Sequence, residues 1–184
     1  MRIAVTGTHG SGKTTLIDDF VATRPAYRKE VEPYWSLLQR GVVFADGASI
    51  PDLEEQLEAS VAMLLAAHAG EDMIFDRCPI DFIAYLEVVG EKEGIDWTPS
   101  GNLLGRIEKA LATLDLLVFV PLRSPDDIKV AIELPRLRLS VDRRLKSILR
   151  DDALGFFKGG SPPIVEVSGS RQDRVQRLAG AASV

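Results

Sequence analysis

The octapeptide Gly7-Thr8-His9-Gly10-Ser11-Gly12-Lys13-Thr14 constrains this chain more than any other stretch. It satisfies the pattern Gly-x-x-x-x-Gly-Lys-Ser/Thr at every fixed position, and its surroundings suit it. A strand-like apolar run, Ile3–Val5, leads in, and a helix-period stretch, Lys13–Ala22, leads out. The glycines permit backbone dihedrals that aim successive N–H groups at anionic oxygens, and a helix N-terminus adds positive partial charge. Lys13 can reach further along a polyphosphate, and Thr14 offers a hydroxyl to a divalent cation. A chance glycine-rich turn would lack the flanking strand and helix. Phosphate and nucleotide contacts are therefore assigned to Gly7, His9, Gly10, Ser11, Gly12, Lys13, Thr14 and Thr15. His9 stands at a variable position of the pattern, where capping or packing is the expected role.

The rest of the chain repeats the strand-then-helix alternation. Further strand-like runs are Tyr27–Val31, Met73–Phe75, Leu116–Val120 and Ile164–Val167. Helical spacing marks Asp52–Ala69, Ile80–Val89, Asn102–Leu111, Val141–Leu149 and Arg171–Ala179. Asp52 with Glu55 resembles a capping box, with Pro51 just before it. Thr98-Pro99 and Cys78-Pro79 place proline near first helical turns, and Gly41, Gly70 and Gly90 fall where helices should stop. Alternation of this kind predicts an α/β fold with about five parallel strands covered by helices. Between residues 123 and 140 the pattern weakens, and arginines stand at 123, 136 and 138. That stretch reads as a mobile basic segment, with a solvated helix face as the alternative.

Composition narrows the function. The 184 residues fit one domain, 1–184, with a core of ordinary size. Net charge is -5 and the pI about 5.1, the reverse of a duplex-binding protein, so nucleic acid is not expected as a partner. Cys78 is the one cysteine, which excludes an internal disulfide and suggests a reducing interior. No apolar run approaches the ~20 residues of a membrane span. No signal-peptide pattern opens the chain, and the cytoplasm is the expected address.

Two acidic positions fall at strand ends. In "MIFDRCPIDFIAYL", Asp76 closes a strand-like run, where a carboxylate can hold the metal of a bound nucleotide. Arg77 beside it can neutralise phosphoryl charge or hold an acceptor oxygen; an ordinary surface turn is the alternative. Cys78 is expected to be structural, and Asp81 and Tyr85 share a helical face that can line an acceptor pocket or make ordinary contacts. In "KEVEPYWSLLQRG", Glu32 follows the second strand and can accept the proton of an attacking hydroxyl. Tyr34 and Trp35 offer flat apolar surface to a ring, or else pack in the core.

The segments "GTHGSGKTT", "VEPYW" and "IFDRCPIDFIAY" together resemble the deoxyribonucleoside kinases, especially the herpesviral thymidine kinase branch. They are also similar to small bacterial AAA-type P-loop proteins that include nicotinamide-riboside kinase domains. The resemblance covers most of the chain in architecture and three short stretches in residues. It implies the P-loop nucleoside triphosphate hydrolase fold, arranged like a nucleoside monophosphate kinase, with an arginine-bearing lid at about 123–140. It also implies Glu32 as base, Arg77 on the acceptor, Thr14 and Asp76 on Mg²⁺, Gln56 reading a base edge, and lid arginines Arg136 and Arg138 clamping the phosphoryl group. "VEVSGSRQDRV" matches the last strand and the loop near adenine. Trp35 lies three residues after Glu32, closer than the family spacing, and "LPRLRLSVDRR" lacks the cellular enzymes' lid motif.

The expected activity is ATP- and Mg²⁺-dependent transfer of the γ-phosphate to a hydroxyl of a nucleoside or nucleoside-like molecule. Lys13, Glu32, Arg77, Arg136 and Arg138 are the expected catalytic residues; Glu32, Trp35, Gln56 and Arg77 the expected acceptor contacts. A nucleotide-binding regulatory ATPase and a kinase of another small hydroxylated acceptor are the alternatives. A homodimer is left open.

Overall fold

The computed structural model describes residues 1–45, 47–68, 70–123, 133–157, 159 and 162–183. Five parallel strands form the sheet: β1 (Arg2–Thr6), β2 (Arg28–Glu30), β3 (Met73–Asp76), β4 (Leu116–Phe119) and β5 (Ile164–Glu166). Their spatial order is β2-β3-β1-β4-β5. The helices are α1 (Lys13–Thr23), α2 (Pro33–Gln39), α3 (Ile50–Ala66), α4 (Pro79–Glu93), α5 (Gly101–Leu111), α6 (Pro135–Asp151) and α7 (Arg171–Ala181). Among the described residues no helix is long and apolar enough to cross a membrane.

The central strands β1, β3 and β4 are largely apolar on both sides because helices cover both faces. Ala4, Phe75, Leu117 and Phe119 face one core with α3, α4, α5 and α6. Ile3, Val5, Ile74, Leu116 and Val118 face a second core with α1 and α7. β1 lies at the centre, flanked by β3 and β4, so the chain changes direction across the sheet beside it. A ligand crevice opens at the carboxyl ends of the strands at such a point.

The register fixes what meets there. Val5 pairs with Asp76 and Glu30 with Phe75. Just past these pairs, at the carboxyl ends of β1, β2 and β3, come Gly7, Glu32 and Arg77, and the Arg77 guanidinium meets both Glu32 and Gly7 O.

Several boundaries differ from expectation. α2 is a short helix that begins with Pro33 at its first turn; seven residues are too few for a periodic signal. α3 starts at Ser49, whose hydroxyl accepts from Asp52 N–H, while the Asp52 carboxylate returns to Ser49 Oγ at 2.6 Å. The cap is thus three residues earlier than the Asp52–Glu55 reading. Gly90 does not stop α4, which continues to Glu93 and ends on left-handed Gly94. Gly90 instead admits a close backbone: a Cβ there would lie 2.8 Å from Ile95 O.

The largest correction concerns the basic segment. Residues 124–132 of the expected lid lie outside the described residues. Residues 135–140 belong to α6, so Arg136 and Arg138 sit on a helix and not in an irregular stretch. The buried stripe of α6 is Arg138, Val141, Asp142, Leu145, Ile148 and Leu149. Its spacing is helical, but two charged residues interrupt the apolar pattern, and this hides the first turns from a hydrophobicity reading.

Candidate functional site

The phosphate loop crosses from the end of β1 to the start of α1. Gly7, with φ of 153°, must be glycine, because a Cβ would lie 2.6 Å from Val120 O and 2.8 Å from Ser11 Oγ. Gly10 and Gly12 adopt left-handed φ values of 64° and 91°. Gly12 caps α1 without a side-chain bond, so the N–H groups opening α1 have no partner within the helix. That is the anion-binding arrangement which the octapeptide implied.

Lys13 is buried, and its ammonium donates to Thr8 O at 3.0 Å. Burial, with the Arg77 charge beside it, pulls its pKa down to about 8. Thr14 Oγ1 donates to Asp76 Oδ2 at 2.6 Å, bringing together the two residues expected at the metal. Asp76 is buried, and its other oxygen, Oδ1, has no hydrogen-bond partner. An orphaned carboxylate oxygen beside a hydroxyl suits Mg²⁺, which keeps several waters and takes one or two protein ligands plus phosphate oxygens. No group of three or more metal-binding side chains occurs among the described residues.

Arg77 joins the loop to the acceptor side. It adopts left-handed φ, 77°, at the turn from β3 into α4. Its backbone N–H donates to Val5 O at 3.0 Å. The guanidinium pairs through Nε with Glu32, donates from Nη1 to Gly7 O at 3.2 Å, and lies 5.5 Å from the centre of the Tyr85 ring. Burial acts against its charge, yet Glu32 and the Tyr85 and Asp81 groups more than offset this and raise its pKa. Burial also pushes Glu32 upward, but the Arg77 and Lys13 charges prevail and hold it below its ordinary value. Glu32 is therefore an ionised carboxylate.

Asp81 is fully buried and braces the loop from α4. Its Oδ1 accepts from Gly7 N–H at 2.9 Å and its Oδ2 from Cys78 N–H at 3.0 Å. Burial raises its pKa despite the Arg77 and Lys13 charges. Cys78, buried at the N-cap of α4, has its thiol pushed well upward by burial and by Asp81, which suits a structural role.

His9 is held more firmly than a variable loop position suggests. Its Nε2 faces Glu133 O at 2.8 Å, so Nε2 carries the hydrogen and Nδ1 accepts from the Tyr85 hydroxyl at 2.8 Å. The Tyr85 oxygen in turn accepts from His9 N–H at 3.0 Å. Burial lowers the His9 pKa against the pull of Glu133 O, and nearby Arg77, Arg138 and Lys13 lower it further.

A cavity of about 410 Å³ adjoins this cluster. Glu32, Gln56 and Arg77 line it, as expected, together with His9 and Tyr85. Gln56 donates to Asp52 O one turn back at 3.1 Å, which fixes its amide on the cavity wall. Trp35 does not line the cavity and is 55 % exposed. Adjacent helix positions point about 100° apart, so Tyr34 faces inward and Trp35 outward. Tyr34 stacks on Phe44 with ring centres 4.8 Å apart, and both line the cavity. Nothing in the sequence marks Phe44; it arrives through the loop between α2 and α3.

The expected lid arginines part company. Arg136 is exposed. Arg138 is buried and donates to His9 O at 2.9 Å and Gly10 O at 3.0 Å. It therefore reaches the phosphate loop on its carbonyl side. Arg174, which the sequence reading passed over, donates from α7 to Gly169 O and Ser11 O, each at 3.0 Å. A second hollow, of about 540 Å³, lies beside it among Arg123, Ser168, Asp173, Gln176 and Arg177.

The fold has known counterparts. The chain aligns over its whole length with deoxyadenosine kinase from M. mycoides with bound dATP, covering 100 % of that chain at 15 % identity and TM-score 0.67. Thymidylate kinase from Candida albicans is similar over 99 % of this chain and 90 % of its own, at 16 % identity and TM-score 0.63. NadR protein in complex with NAD and AMP-PNP matches all of this chain with 49 % of its own length, at 16 % identity and TM-score 0.64. At these identities the likeness establishes the P-loop kinase fold. No curated protein sequence matches the chain. The AAA domain profile matches residues 2–174, nearly the whole chain. The protein therefore belongs to the AAA domain family of P-loop proteins.

Proposed function

We propose that this protein is an ATP-dependent phosphotransferase that moves the γ-phosphate to a hydroxyl of a nucleoside or nucleoside-like small molecule. The observation that carries the reading is the Glu32–Arg77–Gly7 connection. One guanidinium holds both an ionised carboxylate on the cavity wall and the phosphate loop itself. A nucleotide-binding switch needs no carboxylate placed in a separate cavity beside its loop.

Nucleoside triphosphate would lie on residues 7–15, with its base toward the hollow by Ser168 and Gln176. Mg²⁺, when bound by Thr14 and Asp76, would offset charge on the β and γ oxygens. The acceptor hydroxyl oxygen would form a bond to the γ-phosphorus as the bond to the bridging oxygen breaks and ADP departs. Its proton would pass to Glu32. Lys13 supplies positive charge at the phosphates, and Arg77 keeps Glu32 ionised and oriented.

Charge favours a nucleoside over a nucleoside monophosphate as acceptor. Among the described residues lining the cavity, Glu32, Asp52 and Glu133 are acidic and Arg77 is the one arginine or lysine. Its fork is already shared by Glu32, Gly7 and Asp81. An acceptor phosphate would meet an excess of negative charge, whereas a neutral ring can stack on Tyr34 and Phe44. The solved relatives include one named for a nucleoside, one for a nucleotide, and NadR, which is also described in complex with NR.

The test is ATP turnover with and without a panel of nucleosides and nucleoside monophosphates, read as phosphate on the acceptor. A kinase shows turnover that depends on the acceptor, greatest with a nucleoside. Slow ADP release indifferent to every acceptor would establish the switch instead.

A further inference from the structure

The phosphate loop is gripped by its carbonyls. Arg138, from α6, donates to His9 O and Gly10 O; Arg174, from α7, donates to Ser11 O. Within a planar peptide unit the C=O and the following N–H point in opposite directions. Holding His9 O and Ser11 O therefore fixes the directions of the Gly10 and Gly12 N–H groups, each opposite to its held carbonyl. Glycine-rich backbone has the most conformational freedom to lose, so restraint supplied beforehand lowers the cost of ordering the loop around an anion.

Both anchors are held by their surroundings. Arg138 is 5 % exposed and packs in the buried stripe of α6. The Nε of Arg174 is fastened to Gly169 O at 3.0 Å. Gly169 is left-handed at φ 104°, and a Cβ there would meet Asp173 Oδ2 at 3.0 Å. Asp173 closes a capping box with Ser170, so the corner that carries Arg174 is itself braced.

We propose that Arg138 and Arg174 are positioning residues that preset the phosphate loop for a polyphosphate without touching it. This rests on the nucleotide-binding part of the reading above and needs no acceptor. The rival is a direct charge clamp, in which either arginine swings onto the phosphates. The two differ in what lysine can do. Lysine keeps the charge but loses the planar fork that fits two carbonyls at once.

The experiment measures binding of Mg·AMP-PNP and of inorganic tripolyphosphate to the full chain by calorimetry. The variants are Arg138→Ala, Arg138→Lys, Arg174→Ala and Arg174→Lys. Loss of a charged hydrogen bond to the loop should weaken both probes equally, by about tenfold or more. The lysine variants should stay within about threefold of the alanine ones. Unchanged affinity overturns the inference, as does full rescue by lysine. So does a loss confined to AMP-PNP, which would place the effect at the base. If an alanine variant fails to fold, its lysine counterpart decides by the same comparison. Wild-type protein that binds neither probe overturns the nucleotide reading and this inference with it. Wild-type binding with unaffected variants overturns this inference alone.

Discussion

Thr14 Oγ1 and Asp76 Oδ2 stand 2.6 Å apart, bridging the first turn of α1 and the end of β3. The other Asp76 oxygen is buried without a partner. Asp76→Asn keeps the size of the side chain and removes its charge. The variant should need ~10–100-fold more Mg²⁺ for half-maximal turnover. Activity titrated against Mg²⁺ at fixed ATP checks this, and an unshifted curve would move the metal to other residues.

Lys13 makes nucleotide binding sensitive to alkali. Its pKa in the free protein is about 8, lowered by burial and by Arg77. The ammonium binds phosphate, so affinity should be level below pH 8 and fall by up to about tenfold per pH unit above it. Stability runs the other way: the unfolded lysine keeps its proton up to about 10.4, so between the two values folding gains as pH rises. Lys13→Arg stays charged and should lose the alkaline slope, whereas Lys13→Ala should lose ~10²-fold or more in rate. AMP-PNP titrations from pH 7 to pH 9.5 give the answer; a wild-type curve flat to pH 9.5 would contradict it.

Much of this arrangement was legible in the chain. The octapeptide, the strand-end carboxylates Glu32 and Asp76, and Arg77 all report their place because parallel strands deliver their carboxyl ends to one crevice. Helix ends were less legible. Ser49 rather than Asp52 caps α3, since either residue can accept from a first-turn N–H. Arg138 and Arg174 were illegible in their present role. Their bonds to the loop go to backbone carbonyls, which carry no residue-type signal, and those contacts lie 129 and 163 residues away. Trp35 misled because an aromatic beside a strand end advertises a ring-binding surface whichever way the following helix turns.

Glu32→Gln isolates basicity from shape. As a general base Glu32 should contribute ~10²–10⁴-fold to kcat, with affinity for AMP-PNP nearly unchanged. Arg77 and Lys13 hold its pKa below the ordinary glutamate value. Glu32 is thus ionised throughout the neutral range, and any loss of activity between pH 6 and pH 8 must have another source. Folded-state protonation lies below the unfolded value, so its contribution to stability is present above the unfolded pKa and lost as pH falls through the folded one. Parental kcat in the glutamine variant would assign the base elsewhere.

Two glycines should separate folding from function. At Gly90 an added Cβ meets Ile95 O at 2.8 Å, far from the loop, and overpacking of this kind costs about 1–3 kcal/mol. Gly90→Ala should melt several degrees lower with KM and kcat preserved at 20 °C. At Gly7 the clash is with Val120 O and Ser11 Oγ inside the site. Gly7→Ala should lose AMP-PNP binding as well as stability. Differential scanning calorimetry paired with binding titration resolves the two; intact nucleotide affinity in Gly7→Ala would contradict the tight fit of the loop.

The rims of the sheet carry one more consequence. Its outermost strands, β2 and β5, are three residues long, and β2 reads Arg28-Lys29-Glu30. Lys29 is tied to Asp18 and Glu166 to Arg150, so charge and side-chain bulk flank both borders. The strongly apolar strands β1, β3 and β4 are each paired on both sides. A stray strand from another chain would therefore find, among the described residues, a border of three residues at either rim, wholly charged at β2 and closed by the Glu166–Arg150 pair at β5, which guards against the edge-to-edge stacking that seeds aggregates.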